Sequence, residues 1–406
     1  NNLTILDQNE SKKEQIDKEL KKFNGKYQTI LGDNYLKNLS DYDVVFRTPG
    51  IPYLNPEIQK ARQSGVIIYS QTKLFFDLCQ GQIIGVTGTK GKGTTSNLIF
   101  HILKDNLSVN VFLGGNFGRD PFDFIDQVNK DDIVILELSS FQLQDLNKSP
   151  HIAVITPISL DHQDHHKSLK EYWFAKTNIL KHQSRSDFAI ICKDSKNAKK
   201  TRWFTKGKKI YYSFSENLIT EYPKQFIGNH NKQNINCAIK VARILHIADA
   251  NITISLSRII PLEHRLEFIT EINGYKYYND SYSTGPESTI AAISSFQNEN
   301  IVLICGGVDK GFDYKKMAIY IGKYVAIVVI FGQNTHIISE LVKRYARNTT
   351  LKIVDNLDES MKYINSIEMN RGIVLFSPAS ASFDQFKNAS ERGNKFKELV
   401  NHVKAK

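Results

Sequence analysis

The sequence is poor in cysteine, methionine and tryptophan, with 4, 3 and 2 of them among 406 residues. Cys79, Cys192, Cys237 and Cys305 lie far apart with no C-x-x-C pair, which excludes a disulfide scaffold and a zinc ribbon and suits a reducing cytosol. Long apolar runs are missing as well. The purest, Tyr324 to Phe331, is far shorter than the roughly 20 residues that a membrane helix needs, so no transmembrane span is expected. The chain opens Asn1-Asn2-Leu3 with no Met and no basic stretch leading into an apolar one; no secretory signal is expected, and a true start further upstream stays open. Internal repeats, low-complexity tracts and an RNA-binding aromatic pattern are also lacking. What the chain does carry is positive charge: Lys plus Arg 53 against Asp plus Glu 42, a formal +11. That balance suits nucleic acid, phospholipid or phosphorylated metabolites without choosing among them. The densest basic stretch, Lys193 to Lys209, is broken by Asp194, Ser195 and Asn197 and reads as a solvated surface loop.

Short β-branched runs, each followed by a Gly, Asp or Ser turn and a helical stretch, alternate from end to end, the pattern of parallel α/β layers. Chain length argues for two or three domains. In the first, strands are predicted at Leu3 to Leu6, Val44 to Phe46 and Val66 to Ile68, with a polar helix over Lys12 to Lys22 and another after Pro56. A second begins with the strand Gln82 to Val86 and continues through Val109 to Leu113, Ile133 to Leu136 and Ile152 to Ile155, making a doubly wound sheet. A third starts near Leu262, after Pro261, with strands at Tyr275 to Tyr278, Ile301 to Cys305, Val325 to Phe331, Lys352 to Val354 and Ile373 to Phe376. It reads as Rossmann-like.

The sharpest motif is Gly88-Thr89-Lys90-Gly91-Lys92-Gly93-Thr94-Thr95, between a predicted strand and a helix predicted from Thr94. Glycines let backbone N–H groups approach phosphate oxygens, a helix N-terminus adds positive potential, Lys92 can reach terminal phosphates, and a hydroxyl can hold Mg²⁺. The G-x-x-G-K spacing is shorter than that of a plain GTPase or motor. A turn that merely joined strand to helix would leave the lysine and threonines unexplained.

Further on, Ile135-Leu136-Glu137-Leu138-Ser139-Ser140 ends a strand in a carboxylate and two hydroxyls. Glu137 could lie near the phosphates and hold magnesium, or could simply return to solvent. After the next strand comes Thr156-Pro157-Ile158-Ser159-Leu160-Asp161-His162-Gln163-Asp164-His165-His166. Three clustered histidines suggest zinc, yet nothing completes a tetrahedral set, and one histidine beside Mg²⁺ is the better reading. Lys176, in Tyr172-Trp173-Phe174-Ala175-Lys176, is either a desolvated, reactive lysine or a surface lysine with a buried stem.

Taken together these pieces resemble the Mur ligases, and within them the branch that adds D-glutamate. The resemblance runs in order along nearly the whole chain. It takes in Gly228-Asn229-His230-Asn231-Lys232-Gln233-Asn234, His264-Arg265-Leu266-Glu267, Asn279-Asp280-Ser281, Gly306-Gly307-Val308-Asp309-Lys310-Gly311, Ser377-Pro378-Ala379-Ser380-Ala381-Ser382-Phe383 and Glu391-Arg392-Gly393. It implies an α/β, three-domain Mur ligase architecture: a Rossmann-like N-terminal domain over 1–80, a central P-loop ATPase-type domain with a doubly wound, mostly parallel sheet over 81–261, and a Rossmann-like C-terminal domain over 262–406. The family's opening strand and Gly-rich turn have no counterpart, so the first domain is expected to be truncated at its start.

The function implied is that of a cytoplasmic, monomeric ligase of peptidoglycan precursor synthesis, with no nucleic-acid or membrane partner. It would join D-glutamate to UDP-N-acetylmuramoyl-L-alanine, using ATP to form an acyl phosphate. Carried over by resemblance, the catalytic residues are Lys92, Glu137, His162, Lys176 and Arg265. ATP would meet residues Gly88 to Thr95, Asn234 at adenine, Asp280 at ribose, and Arg265. Two Mg²⁺ ions would use Thr94, Glu137, His162 and Lys176, the last N-carboxylated. Asp7, Gly50, Asn116, Ser139, Gln142 and His162 would hold the UDP-sugar acceptor, and Thr284, Lys310, Ser382 and Phe383 the glutamate. This chain departs from the pattern at Gln8-Asn9, at Gly93 (usually Ser or Thr), at Pro157 (usually Asn), at Tyr282 (usually Lys) and at Ala389 (usually a bulkier aromatic). Gly91-Lys92-Gly93 is shared with folylpolyglutamate synthetases, which keeps such a ligase open as an alternative. A catalytically idle sugar-nucleotide-binding homologue is a second, and a nucleic-acid-dependent ATPase the remaining one.

Overall fold

The computed structural model describes residues 2–22, 25–48, 50–159, 168–367 and 371–404. The chain forms two compact units, Asn1–Ser96 with Leu107–Tyr211, and Asn97–Asn106 with Tyr212–Lys406.

The first unit opens with two separate parallel strand pairs, β1 (Leu3–Asp7) with β2 (Tyr27–Leu31) and β3 (Val44–Arg47) with β4 (Ile67–Ser70). Each pair is joined by a helical crossover, Lys13–Glu19 in the first and Pro56–Gln63 in the second. The second helix starts where proline is tolerated best, at the first helical position, and the Asn55 side chain accepts from Glu57 N at 2.9 Å. Leu39, Val45, Ile58, Ala61 and Ile68 form the apolar centre here, with Leu6 of β1 packed against it.

Next comes a six-stranded sheet of β5 (Gln82–Thr87), β6 (Val111–Gly115), β7 (Ile133–Glu137), β8 (Ile152–Ile155), β9 (Phe188–Cys192) and β10 (Lys208–Tyr212), in the order β10-β9-β8-β5-β7-β6. The pairings from β6 through β9 are parallel. Such strands are covered on both faces, which explains their unbroken apolar runs: Val134, Ile135, Ile152, Val154, Ile190 and Ile191 are wholly buried. The sequence-distant β7 and β8 flank β5, so the carboxyl end of β5 lies at a topological switch point, where open α/β sheets bind ligands.

The second unit holds the helices Asn229–Ile244 and Asp249–Arg258 and a sheet of β11 (Glu267–Ile272), β12 (Tyr275–Asn279), β13 (Ile301–Gly306), β14 (Val325–Phe331), β15 (Thr350–Ile353) and β16 (Gly372–Phe376). Its order is β11-β12-β16-β13-β14-β15. Only β11 runs antiparallel to its neighbour, turning back at Asn273-Gly274, both at positive φ (50° and 81°) as a tight hairpin of this hand requires. Alternate residues feed opposite faces. Ile301, Leu303 and Cys305 join one apolar cluster, Val302 and Ile304 the other. All four cysteines are free, as expected.

Candidate active site

β5 runs directly into the glycine-rich loop. A Cβ at Gly88 (φ +151°) would stand 2.0 Å from Thr156 Oγ1, so no other residue fits at this crossing. The loop is pinned from the end of β8: Thr89 N donates to Pro157 O (2.8 Å), Lys90 N reaches the same carbonyl (3.4 Å), and Thr89 Oγ1 lies 2.8 Å from the Tyr172 hydroxyl. Pro157 thus serves through its carbonyl, which a proline retains. The helix Lys92–Asn106 begins two residues earlier than the sequence suggested, so Lys92, Gly93, Thr94 and Thr95 occupy its first turn. Thr95 N donates to Gly91 O at 2.9 Å, Thr94 and Thr95 are buried, and Lys92 Nζ contacts Thr89 O at 3.2 Å.

Glu137 does not return to solvent. It closes β7 with 5% of its surface exposed, and its Oε1 accepts from Asn116 Nδ2 at 3.0 Å. A Cβ at Gly93 would stand 3.0 Å from Glu137 Oε2. The glycine where serine or threonine is usual therefore leaves room for this carboxylate at the phosphate loop. Lys176 is buried too, 2% exposed, with Nζ 4.5 Å from the centre of the Tyr172 ring, so the surface-lysine alternative is overturned. Tyr172 links it to Thr89 of the loop. Asp161, His162, Gln163, Asp164, His165 and His166 lie outside the described residues.

Of the residues read as acceptor contacts, Ser139 and Gln142 form a capping box at the helix Ser140–Leu143: Gln142 N donates to Ser139 Oγ (3.3 Å) and Ser139 N to Gln142 Oε1 (2.8 Å). Asn116 serves Glu137, as above. Gly50 has open space where a side chain would be. Asp7 takes hydrogen bonds from Asn9 N (2.8 Å) and Lys12 Nζ (3.0 Å), and these hold its carboxyl below the usual carboxylate range. The variant Asn9 caps the turn Glu10–Lys12.

In the second unit, Arg265 is exposed between two residues in left-handed conformation, His264 (φ 62°) and Leu266 (φ 49°), which costs backbone strain. It lies 5.2 Å over the Tyr282 ring, so the aromatic that replaces the usual lysine holds a cation. Asp280 is buried, accepting from Leu266 N (3.2 Å), Ser283 Oγ (2.5 Å) and Ser377 Oγ (2.8 Å); burial pushes its carboxyl up to about 6 despite those donors. Asn234 is buried on the helix Asn229–Ile244, where burial first and the Arg265 charge second push the His230 imidazole down to about 4.

Val308 N donates to Ala381 O at 3.0 Å, which sets the loop bearing the exposed Lys310 against the one bearing buried Ser382 and exposed Phe383. Thr284 is half-buried two residues before the helix Pro286–Ser294. Sequence reasoning missed two residues that tie these loops. Asn334 accepts from Gly307 N (3.0 Å) and donates to Ser380 Oγ (2.6 Å). Arg392, wholly buried, donates to Ser281 Oγ, Ser281 O and Ser380 O at 3.1, 2.7 and 3.0 Å. The Glu391-Arg392-Gly393 motif was visible in the sequence, but not this role.

A glycine-rich loop opening a helix, with a buried carboxylate ending the adjacent strand, defines a nucleotide-binding α/β class of protein. Family models agree: residues 86–255 match the Mur ligase middle domain and residues 264–380 the Mur ligase glutamate ligase domain. The chain belongs to the Mur ligase family. It is 36% identical to a UDP-N-acetylmuramoylalanine--D-glutamate ligase of Acetivibrio thermocellus and 37% identical to one of Ruminiclostridium cellulolyticum, each match covering 92% of this chain and 86% of the relative. Among solved structures it is similar to MurF from Acinetobacter baumannii (TM-score 0.64, 15% identity, 98% of this chain and 91% of that one). It is also similar to folylpolyglutamate synthase from Mycobacterium tuberculosis (TM-score 0.59, 13% identity, 80% and 94%), a likeness of fold.

Proposed function

We propose that this chain is an ATP-dependent ligase that forms the amide bond between D-glutamate and UDP-N-acetylmuramoyl-L-alanine in peptidoglycan precursor synthesis, working as a cytoplasmic monomer with three domains bounded at 1–80, 81–261 and 262–406. The observation that carries it is the meeting of Glu137 with the first turn of the Lys92–Asn106 helix, at the end of a strand flanked by a switch point. The names of the relatives above support the substrates.

A carboxylate is a poor acylating agent, so the acceptor's terminal carboxylate takes the γ-phosphoryl group of ATP. The glutamate amine then attacks the acyl phosphate, and phosphate leaves from the tetrahedral intermediate. Negative charge accumulates at each step, and catalysis rests on positioning and electrostatic stabilisation. Lys92 and the loop N–H groups face the phosphates, Arg265 adds an exposed cation, Asn234 reads adenine and Asp280 the ribose. Lys310 pairs with the glutamate side-chain carboxylate, with Thr284, Ser382 and Phe383 around it.

The donor set at the loop fits magnesium: one buried carboxylate and one hydroxyl, with no group of three His, Cys, Asp or Glu among the described residues. Thr94 and Glu137 would hold one ion, and Glu137, His162 and an N-carboxylated Lys176 a second. When bound, they neutralise phosphate charge. Lys176 is buried against Tyr172, and the modification would turn its cation into an acceptor that can face metal. Among the described residues no helix is long and apolar enough to cross a membrane.

The test is ADP release from Mg-ATP and UDP-N-acetylmuramoyl-L-alanine, with D-glutamate, L-glutamate or no amino acid in parallel. Release that requires D-glutamate is expected. Release independent of acceptor or amino acid, or none with any combination, would overturn the reading.

A further inference from the structure

Arg47 ends β3 with its side chain 0% exposed, deep for a cation that no motif accounts for. Nη1 donates to Ile51 O at 2.6 Å, Nη2 reaches Phe141 O at 3.4 Å, and Asp145 Oδ1 lies 3.4 Å from the same nitrogen. The Asp145 side chain is 4% exposed; among the described residues neither of its oxygens, nor Arg47 Nε, has a hydrogen-bond partner. One guanidinium thus bridges the turn that carries Gly50, which Ile51 N closes onto Thr48 O (3.1 Å), and the capped helix start between Ser139 and Gln142. These two stretches are distant in sequence, and both are read above as acceptor contacts.

We propose that Arg47, balanced by Asp145, is a positioning residue for the sugar-nucleotide acceptor, fixing the Gly50 turn against the Ser139–Gln142 segment at the spacing the substrate needs. A buried ion pair with imperfect hydrogen bonding adds little stability over an apolar pair of similar volume. What it adds is geometry: a planar cation with several donors can hold two carbonyls at a set separation, and an aliphatic chain cannot. The proposal rests on the acceptor assignment made under the proposed function.

The experiment compares Arg47→Met/Asp145→Leu, Arg47→Lys and Gly50→Val in the full chain, measuring thermal midpoint and separate KM values for UDP-N-acetylmuramoyl-L-alanine, ATP and D-glutamate. The double variant is expected to keep its midpoint within a few degrees while the acceptor KM rises at least tenfold and the other two stay within twofold. Arg47→Lys retains the charge facing Asp145 but cannot span Ile51 and Phe141, and should show the same selective rise; it decides the matter if the double variant does not fold. A parental acceptor KM in these Arg47 variants, or an equal rise in all three KM values, would overturn the proposal. Gly50→Val separates the two failures. If it too leaves the acceptor KM unchanged, the acceptor assignment is wrong and the proposal falls with it; if it raises that KM alone, only the positioning role is lost.

Discussion

Replacing Arg392 with methionine sets two large effects against each other. The guanidinium makes three hydrogen bonds, and its loss leaves the carbonyls of Ser281 and Ser380 without this donor inside the second unit. Each orphaned carbonyl costs about 1–3 kcal/mol, so the damage is about 2–6 kcal/mol. Against this, burial pushes the guanidinium down from its ordinary 12.5 to about 10, which at about 1.4 kcal/mol per tenfold is roughly 3 kcal/mol held against the charged form. Methionine removes that penalty. The net lies between a gain of about 1 and a loss of about 3 kcal/mol, which leaves a folded protein whose thermal midpoint moves by no more than several degrees. Activity should suffer far more, because Ser281 to Ser283 and Ser380 to Ser382 lose their common tie: kcat/KM for D-glutamate is expected to fall more than tenfold. Arg392→Lys sharpens the test. It keeps a buried charge while giving up the fork, and so should unfold at a lower temperature than Arg392→Met. Differential scanning calorimetry with steady-state ADP release reads both. A lysine variant more stable than the methionine variant, or full activity in either, would refute the reasoning.

Lys176→Ala should abolish ADP formation, with partial return on adding a short carboxylate such as acetate or formate, since only the carbamate oxygens would be missing; normal rates without additive would exclude the role. Asp280 and His230 make opposite contributions to acid stability. Folded Asp280 keeps a proton that the unfolded chain releases above about 3.8, so its contribution declines as pH rises from about 4 to 6. His230 stays neutral in the fold while the unfolded chain takes a proton below about 6.5, so stability is lost as pH falls from there toward 4. Asp280→Asn removes the first effect, and its urea midpoint should drop more steeply than the parent's between pH 6 and 4.5. Parallel curves would contradict the assignment.

The phosphate loop and most strands of both large sheets were legible because each is written locally, in a β-branched run and a turn beside it, whereas Glu137 had two readings until burial decided against solvent. β11 was missed although Asn273-Gly274 announces its hairpin, because its side chains, four half-buried and two exposed, dilute the apolar pattern. β2 fails for the same reason, and β9 and β10 flank the basic stretch whose charge masked them. Arg47, Asn334 and Arg392 were illegible for a deeper reason. Each acts on groups far away in sequence, Phe141 for Arg47 and Ser281 for Arg392, and nothing local reveals that role, even for Arg392, whose motif was visible but whose partners were not. Lys176 had two readings until burial decided, since a helix sequence does not say which face is covered.

The capping box at Ser139 and Gln142 also constrains how the protein can change. Each side chain satisfies the other's backbone N–H, so any single replacement frays a helix start as well as altering whatever that side chain touches. In a population of variants the two positions should drift together, with Thr or Asp admitted at 139 only while Gln or Glu remains at 142. An inhibitor leaning on Gln142 would therefore meet escape mutations that each carry the added cost of a lost cap, about 0.5–2 kcal/mol.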